Sequence, residues 1–199
     1  MVLVSRTLLA LVSFAAAFGV VNARADERLS MPQFPNGWVE IFTQQGTQER
    51  VEYAPLGQTA ATWQRKITIE VYHDFKNLPL DALQRRAVAQ NHDACVGVVE
   101  GKFQSGMNNG YSSAFWTLGC KRNKATGLGE TRYTKAIQGA GGLYIISQTW
   151  RTPPFDKDDP AIGAQDLSAG MTFLTSSVVC DTTSAKSPCP PENPAAQRR

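Results

Sequence analysis

Hydrophobic and polar residues alternate most strictly over residues 66–72, where the sequence reads KITIEVY. Ile67, Ile69 and Val71 fall on one side of an extended chain, and the polar residues between them fall on the other. An alternation of this kind is typical of a strand with one buried face and one solvated face. The stretch therefore predicts a strand of an antiparallel sheet.

Further runs of strand-forming residues lie before and after this one. The sequence predicts strands at 38–42, 50–54, 96–104, 111–118, 130–137 and 143–150. The Asn- and Gly-rich stretch SGMNNG predicts a turn, and KRNKATGLG predicts a loop. The last two strands flank the glycine-rich stretch GAGG, which is the strongest hairpin signal in the chain.

Two segments change to the helical period. The first spans 80–93, with an apolar stripe of Leu80, Leu83, Ala87 and Val88. In the second, Asp159 is expected to cap the N-terminus and Pro160 to take the first helical position. Its apolar stripe consists of Leu167, Met171, Leu174 and Val178. Strands, a helix, four strands and a helix predict a single α+β domain, in which two main helices cover an antiparallel sheet.

The first 25 residues have the features of a secretory signal peptide. Arg6 precedes an apolar run, and Ala23-Arg24-Ala25 forms a small-x-small cleavage pattern before Asp26. The apolar run is short for a membrane span. We expect an exported protein, periplasmic or extracellular, with no transmembrane segment after cleavage. Residues 26–180 then form the α+β domain, and 181–199 form a Pro-rich, largely disordered tail.

The charge balance bears on the partner. The full chain has a formal net charge of +3, and loss of Arg6 and Arg24 with the signal brings the mature chain close to neutrality. Nucleic-acid-binding proteins usually carry a strongly basic face. We therefore expect no nucleic-acid partner.

The mature part contains four cysteines: Cys95, Cys120, Cys180 and Cys189. An even number in an exported chain predicts two disulfides, for which three connectivities are open. We favour Cys95–Cys120 and Cys180–Cys189, because each pair closes a local loop. The second pair would also fasten the Pro-rich tail to the domain.

The stretch NHDAC, residues 91–95, resembles a thiol site, in which His92 would activate Cys95 and Asp93 would orient the histidine. Side chains that are neighbours in a helical sequence point in different directions, however, and thiols oxidise in an exported protein. The alternative is that His92 and Asp93 end a helix and that Cys95 ties it to Cys120. We expect the tie.

Other catalytic and metal signals are absent from the sequence. The chain has two histidines, His73 and His92, whereas a metal site needs about four ligands. It contains no CxxC, HExxH or calcium-loop pattern and no GxSxG motif. His73 fits a residue at the surface end of a strand. We expect no catalytic residues, no metal and no cofactor.

Basic residues provide one candidate surface. Lys121, Arg122 and Lys124 share one loop, and Arg132 and Lys135 follow on the next predicted strand. The group could bind an anion or an acidic partner. The alternative, an ordinary solvated hairpin, is the more common situation.

Aromatic residues provide a second candidate surface. Those on strands expected to be neighbours are Tyr111, Phe115, Trp116, Tyr144 and Trp150. They could line a ligand groove, although aromatic residues in strands more often form core. Trp116 and Trp150, with the basic loop, are our candidates for a ligand or partner surface.

Three stretches resemble a group of exported proteobacterial proteins of unknown function: VEYAPLGQTAATWQRKITIEVY, NGYSSAFWTLGC and GETRYTKAIQGAGGLYIISQTWR. The resemblance covers the chain from Trp38 to Arg151. The order of elements is also similar to the α/β/α sandwich of PsbP, an extrinsic subunit of the oxygen-evolving complex. Neither resemblance implies catalytic residues, and a shared fold does not establish a shared function.

Together these features predict an exported binding or accessory protein of the bacterial envelope, without catalytic activity, whose partner is a protein or a small ligand. One alternative is a hydrolase of envelope material whose site residues are scattered along the chain. Another is a structural subunit of an envelope assembly. A pocket with convergent ionisable groups of perturbed pKa would favour the enzyme, and a flat exposed apolar or aromatic patch would favour a protein partner.

Overall fold

A computed structural model describes residues 27–157, 160 and 162–191 of the chain. The described elements, in chain order, are β1 (Glu27–Ser30), β2 (Trp38–Gln44), β3 (Gln48–Pro55), β4 (Arg65–His73), α1 (Leu80–Ala94), β5 (Cys95–Glu100), β6 (Gln104–Asn108), β7 (Tyr111–Asn123), β8 (Gly129–Gln138), β9 (Gly142–Thr152), α2 (Ala164–Ser176) and β10 (Val178–Asp181). The predicted signal peptide and the proposed cap Asp159 lie outside the described residues.

One antiparallel sheet forms the middle of the molecule. Its strand order is β2-β3-β4-β9-β8-β7-β5, and β6 also pairs with β7. Helix α1 packs against β5 and β7, and α2 packs against β8 and β9. The two helices contribute to separate hydrophobic clusters on opposite faces of the sheet. The predicted α+β class, with two main helices covering an antiparallel sheet in three layers, is confirmed.

The face covered by α2 holds the larger core. Ile67, Ile137 and Ile146 from three neighbouring strands are at most 1% exposed, and they cluster with Phe173 and Leu174 of α2. The face covered by α1 is apolar beneath the helix, where the buried residues are Ala114, Trp116, Leu118, Ala136, Leu143 and Ile145. The apolar stripe expected for the first helix packs against these residues.

Strand β4 departs from the expected pattern of one solvated face. Lys66 and Thr68 are 8% and 7% exposed, so the polar side of the strand is buried as well. The loop over residues 56–64 covers this end of the sheet, and the Lys66 ammonium lies 4.5 Å from the ring centre of Trp63. The prediction of a wet face was wrong because local alternation cannot show what packs on a strand.

The ends of the domain differ from the prediction. Helix α2 begins at Ala164 with Gly163 as its N-cap, so Pro160 precedes the helix. Val178 belongs to strand β10 and not to the helix, and β10 pairs with β1, the first element of the described chain. Local periodicity could not reveal this pairing, because the two partners lie at opposite ends of the sequence.

The middle of the chain also needs two corrections. The predicted strand 96–104 is divided into β5 and β6, and most of the expected turn SGMNNG belongs to β6. Asn109 and Gly110 make the turn itself, both with positive φ. Strand β7 continues to Asn123 into the expected loop, because it pairs with β5 on one side and β8 on the other.

Both disulfides are present, and they join Cys95 to Cys120 and Cys180 to Cys189. The first ties the start of β5 to β7. The second holds the residues after β10, where the Asp181 N–H also donates to the Ser187 carbonyl at 2.8 Å. The predicted tail is described only as far as residue 191. Neither helix of the described chain is long and apolar enough to cross a membrane.

Lys135 lies in the interface between the sheet and α2 and not on the surface of a hairpin, as its place in the basic group had suggested. It is 7% exposed, and its ammonium donates to the carbonyls of Leu174, Thr175 and Ser177 at 3.0, 3.2 and 2.6 Å. These carbonyls end α2 and lack intrahelical partners, so the lysine caps the helix. Burial lowers the pKa of Lys135 to about 8.

Replacement of Lys135 by Met should lower the free energy of unfolding at pH 7 by about 1–3 kcal/mol, since three carbonyls lose their donor. In the wild-type protein the pKa of this lysine lies below its unfolded value of about 10.4. The unfolded chain therefore binds more protons between these pH values, and the Lys135 contribution to stability rises with pH across them. Urea unfolding of both proteins from pH 7 to 10 should show a growing difference; a constant or shrinking difference would contradict this assignment.

Candidate functional site

The α1 face changes from apolar to polar across the sheet. Its register places Glu52 opposite Thr68, Thr68 opposite Ser147, and Ser147 opposite Thr134. The next row along the strands contains Lys66, Thr149 and Arg132. Helix α1 packs on β5 and β7 and does not reach over this polar region.

A cavity of about 600 Å³ lies between α1 and the sheet. Its apolar wall includes Leu83 and Ala87 of α1 and Trp116, Leu143 and Ile145 of the sheet. The charged residues that line it are Arg50, Glu70, Arg86 and Arg132, and Gln48, Thr68, Thr134 and Ser147 add uncharged polar groups. This volume lies within the range of small-molecule sites, and about half of the lining residues are polar or charged.

The cavity exists because α1 does not close onto the sheet. No residue of α1 is fully buried, although its apolar stripe faces the sheet. Leu83 and Ala87 stay partly exposed and line the cavity on its helix side. The segment before the helix contributes Phe75, which is 49% exposed and also lines the cavity.

A buried ion pair borders the cavity. The Glu52 carboxylate accepts hydrogen bonds from Lys66 Nζ at 2.9 Å and from Arg50 Nε at 3.0 Å. Burial opposes the ionisation of Glu52, but these two partners outweigh it and hold the pKa of the carboxyl below its usual value. Burial lowers the pKa of Lys66, and the positive charges of Arg50 and Arg132 add to that lowering. Glu52 therefore compensates only part of the positive charge gathered there.

Two of the cavity arginines are available for a ligand. Within the described residues, neither Arg86 nor Arg132 makes a side-chain hydrogen bond or an ion pair, and both are exposed. Among the cavity residues and the adjoining ion pair, Arg50, Lys66, Arg86 and Arg132 face two carboxylates, Glu52 and Glu70. The cavity therefore has an excess of positive charge.

One buried donor on the cavity wall has no partner. Trp116 is 2% exposed, and its indole N–H has no acceptor in the part of the chain that the structure describes. The hydroxyl of Thr149, in the adjoining row of the same face, is also without one. Buried polar groups are normally hydrogen-bonded, so each exception needs an explanation; Trp150 on the opposite face also has an indole N–H without an acceptor in the described chain.

The residues of NHDAC lie outside the cavity. Asn91, His92 and Asp93 form the last turn of α1, and Cys95 is held in its disulfide. Lys124 donates from its backbone N–H to the Ala94 carbonyl at 2.9 Å and from Nζ to the Asp93 carbonyl at 2.7 Å. The stretch ends the helix and ties it to β7, so it offers no thiol for catalysis.

The two histidines are exposed and far apart. His92 Nε2 lies 3.3 Å from Glu100 Oε1, and His73 Nε2 lies 2.8 Å from Glu49 Oε1. Neither histidine lines the cavity. In the described part of the chain, no three His, Cys, Asp or Glu residues are placed to share a metal ion.

The residues proposed as a surface are not brought together. Trp116 lines the cavity, whereas Trp150 is buried on the α2 face, beside Gly170 of that helix. Lys121 donates to the Asp156 carbonyl at 2.7 Å, and Lys124 caps α1 as described above. Arg122 is exposed and does not line the cavity.

Sequence reasoning did not find most of the cavity. Arg50, Glu70 and Arg86 were not singled out, and Arg132 was considered only as part of a basic hairpin. They come from β3, β4, α1 and β8, which only the folded sheet brings together. The sequence does contain one indication of the cavity, namely the polar residues on one face of the predicted strand 66–72. Polar residues are unusual on a sheet face that a helix covers.

No protein-family model and no curated protein matches the sequence. Among solved structures, the Ran-binding protein Mog1p of Saccharomyces cerevisiae is similar at 10% identity with a TM-score of 0.47, and the match covers 75% of this chain and 93% of that one. LpqN, which is involved in cell envelope biogenesis of Mycobacterium tuberculosis, is similar at 8% identity with a TM-score of 0.37, over 80% of this chain and 87% of that one. These likenesses concern the fold and not the residues of the cavity.

Replacement of Glu52 by Gln should lower the free energy of unfolding by about 3 kcal/mol, because Lys66 would stay buried without its counter-charge. In the wild-type protein, the contribution of Glu52 is present above its unfolded pKa of about 4.3 and is lost as the pH falls through the lower folded value. Urea unfolding at pH 7 and through the acid range measures both effects. The matched control Glu49→Gln changes an exposed pair and should cost less than about 0.5 kcal/mol; equal losses in the two variants would show that the buried pair has no special role.

Proposed function

We propose that this protein is an exported binding protein without catalytic activity, whose ligand occupies the cavity between α1 and the sheet. The observation that supports this most directly is the cavity itself. It has about 600 Å³, an apolar wall, a polar wall that carries three arginines, and a half-buried helix on one side. A ligand would bury the part of the α1 stripe that the sheet leaves exposed.

Export is supported by the signal-peptide pattern of residues 1–25 and by two disulfides that use all four cysteines. Disulfides persist in oxidising compartments and are rare in reducing ones. The protein would meet its ligand in the periplasm or outside the cell.

Binding fits the cavity better than hydrolysis does. The residues that line it include no histidine and no cysteine. The ionisable groups with shifted pKa values near it are Glu52 and Lys66, which are hydrogen-bonded to each other, and Tyr72, whose pKa is raised above its ordinary value by burial. General acid–base catalysis needs a group that gains and loses a proton near the working pH, and arginine does not do so.

Export can be tested by the N-terminus and the mass of the secreted protein. Protein recovered after secretion through its own signal should begin at Asp26, and its mass should be four hydrogens below that of the reduced chain, because four cysteines are oxidised. Intact-mass spectrometry before and after reduction measures both features. A retained N-terminus or an unchanged mass on reduction would contradict export with two disulfides.

Occupation of the cavity can be tested with Nile red, an uncharged apolar dye whose fluorescence rises in apolar sites. The wild-type protein should bind one dye molecule. Replacement of Ala87 by Phe would fill the cavity from the helix side and should weaken binding at least about tenfold, as expected when an apolar pocket loses its space.

The matched control is Ala89→Phe. Ala89 is exposed on the opposite side of α1, so this variant adds the same ring to the same helix outside the cavity. It should bind Nile red like the wild type, and circular dichroism should show that both variants are folded. Absence of dye binding by the wild type, or equal binding by the two variants, would refute the proposed site.

A further inference from the structure

We infer that the ligand is an amphiphile with one acidic group, a carboxylate or a phosphate, which binds to the arginines of the cavity while its apolar chain lies beneath α1. This inference rests on the proposed function and adds the chemical class of the ligand. Two observations support it: the distribution of charge along the cavity wall, and a buried hydrogen-bond donor without a partner on that wall.

The three cavity arginines come from separate elements. Arg50 is on β3, Arg86 on α1 and Arg132 on β8, and only one carboxylate, that of Glu70, lines the cavity with them. Like charges on one cavity wall repel one another, so an anion bound there would be favoured. Arginine is well suited to this role, because its planar guanidinium can donate two parallel hydrogen bonds to a carboxylate or a phosphate.

One of the two carboxylates near the arginines, that of Glu52, is already engaged. Glu52 is shared between Arg50 and Lys66, which leaves one positive charge over in that group of three. Burial raises the pKa of Tyr72, and the charge of Glu70 raises it further, which places Glu70 beside the tyrosine. Arg86 and Arg132 have no such partner within the described residues, so an incoming anion would meet two unpaired guanidinium groups.

The apolar part of the wall defines the other half of the ligand. Leu143 and Ile145 lie on the sheet, and Leu83 and Ala87 face them from α1. The rows that carry Lys66, Thr68 and Arg132 lie further along the same strands. This gradient from apolar to basic within one cavity matches a molecule with an apolar chain and a single acidic head.

Trp116 places a buried polar group in the same wall. Its indole N–H is without an acceptor in the described chain, and the ring lines the cavity opposite Thr134 in the sheet register. A buried donor without a partner costs free energy. The nitrogen has almost no solvent-accessible surface, so the ring would have to shift before an oxygen of the ligand head could accept this hydrogen bond.

The test is displacement of Nile red from the mature protein by compounds that share a ten-carbon chain: decanoate, decyl phosphate and uncharged decanol. The two anions should displace the dye at least about tenfold more strongly than decanol, as charge-assisted hydrogen bonds predict. Acetate and inorganic phosphate should not displace it, because they lack the chain. Equal displacement by decanol, or displacement by the short anions alone, would overturn the inference.

Arg132→Gln should weaken decanoate binding by roughly tenfold and leave decanol and Nile red within about twofold of the wild type. Arg122→Gln is the matched control, since it removes the same charge from an exposed residue outside the cavity. Equal effects of the two variants would refute a specific anion site. Nile red binding that Ala87→Phe prevents, without any preference for anions, would refute the ligand class and leave the proposed site intact. Absence of Nile red binding would refute both.

Discussion

The ion pair between Glu52 and Lys66 permits the polar region that distinguishes one face of the sheet from the other. Lys66 is buried under Trp63 at one end of the sheet, where an unpaired ammonium would be strongly unfavourable. Glu52 on the neighbouring strand compensates this charge and fixes the position of Arg50 through a second hydrogen bond. The polar wall of the cavity therefore depends on a carboxylate that lies outside the cavity.

The position of α1 follows from the same distribution of residues. Its apolar stripe can pack only where the sheet is apolar, which is over β5 and β7 and the nearby part of β8 and β9. Further across the sheet the helix would meet Thr68, Ser147 and the charged row, so it does not close over them. The space that remains is the cavity. One of its walls is apolar and the other is polar, because the residues on this face of the sheet change from apolar to polar.

The fold was largely predictable, because local patterns determine most of it. The alternation of Ile67, Ile69 and Val71 correctly located β4, and the stripe from Leu80 to Val88 located α1 almost to its ends. The short strand β1 and its partner β10 were missed, because their pairing joins residues that lie far apart in the sequence. The burial of Lys66 was missed for a similar reason, since the loop that covers it is not part of the alternating pattern.

The candidate site was much less predictable than the fold. Lys135 illustrates the difficulty: its carbonyl partners at the end of α2 come about forty residues later, so a buried capping residue looked like a surface cation. Of the two candidate surfaces predicted from sequence, Trp116 and Arg132 lie in the cavity, and the basic loop uses two of its cations on backbone carbonyls. The cavity residues come from six separate elements, so no regular spacing in the sequence connects them.

The type of charge in the cavity limits the chemistry available there. Arginine keeps its proton at any pH that a folded protein tolerates, so it can hold an anion but is poorly suited to exchanging protons with one. Arg86 and Arg132 are exposed, so their attraction for an acidic group would rest on the paired hydrogen bonds that a guanidinium can donate and would weaken as salt is added. The apolar wall would select the remainder of the molecule.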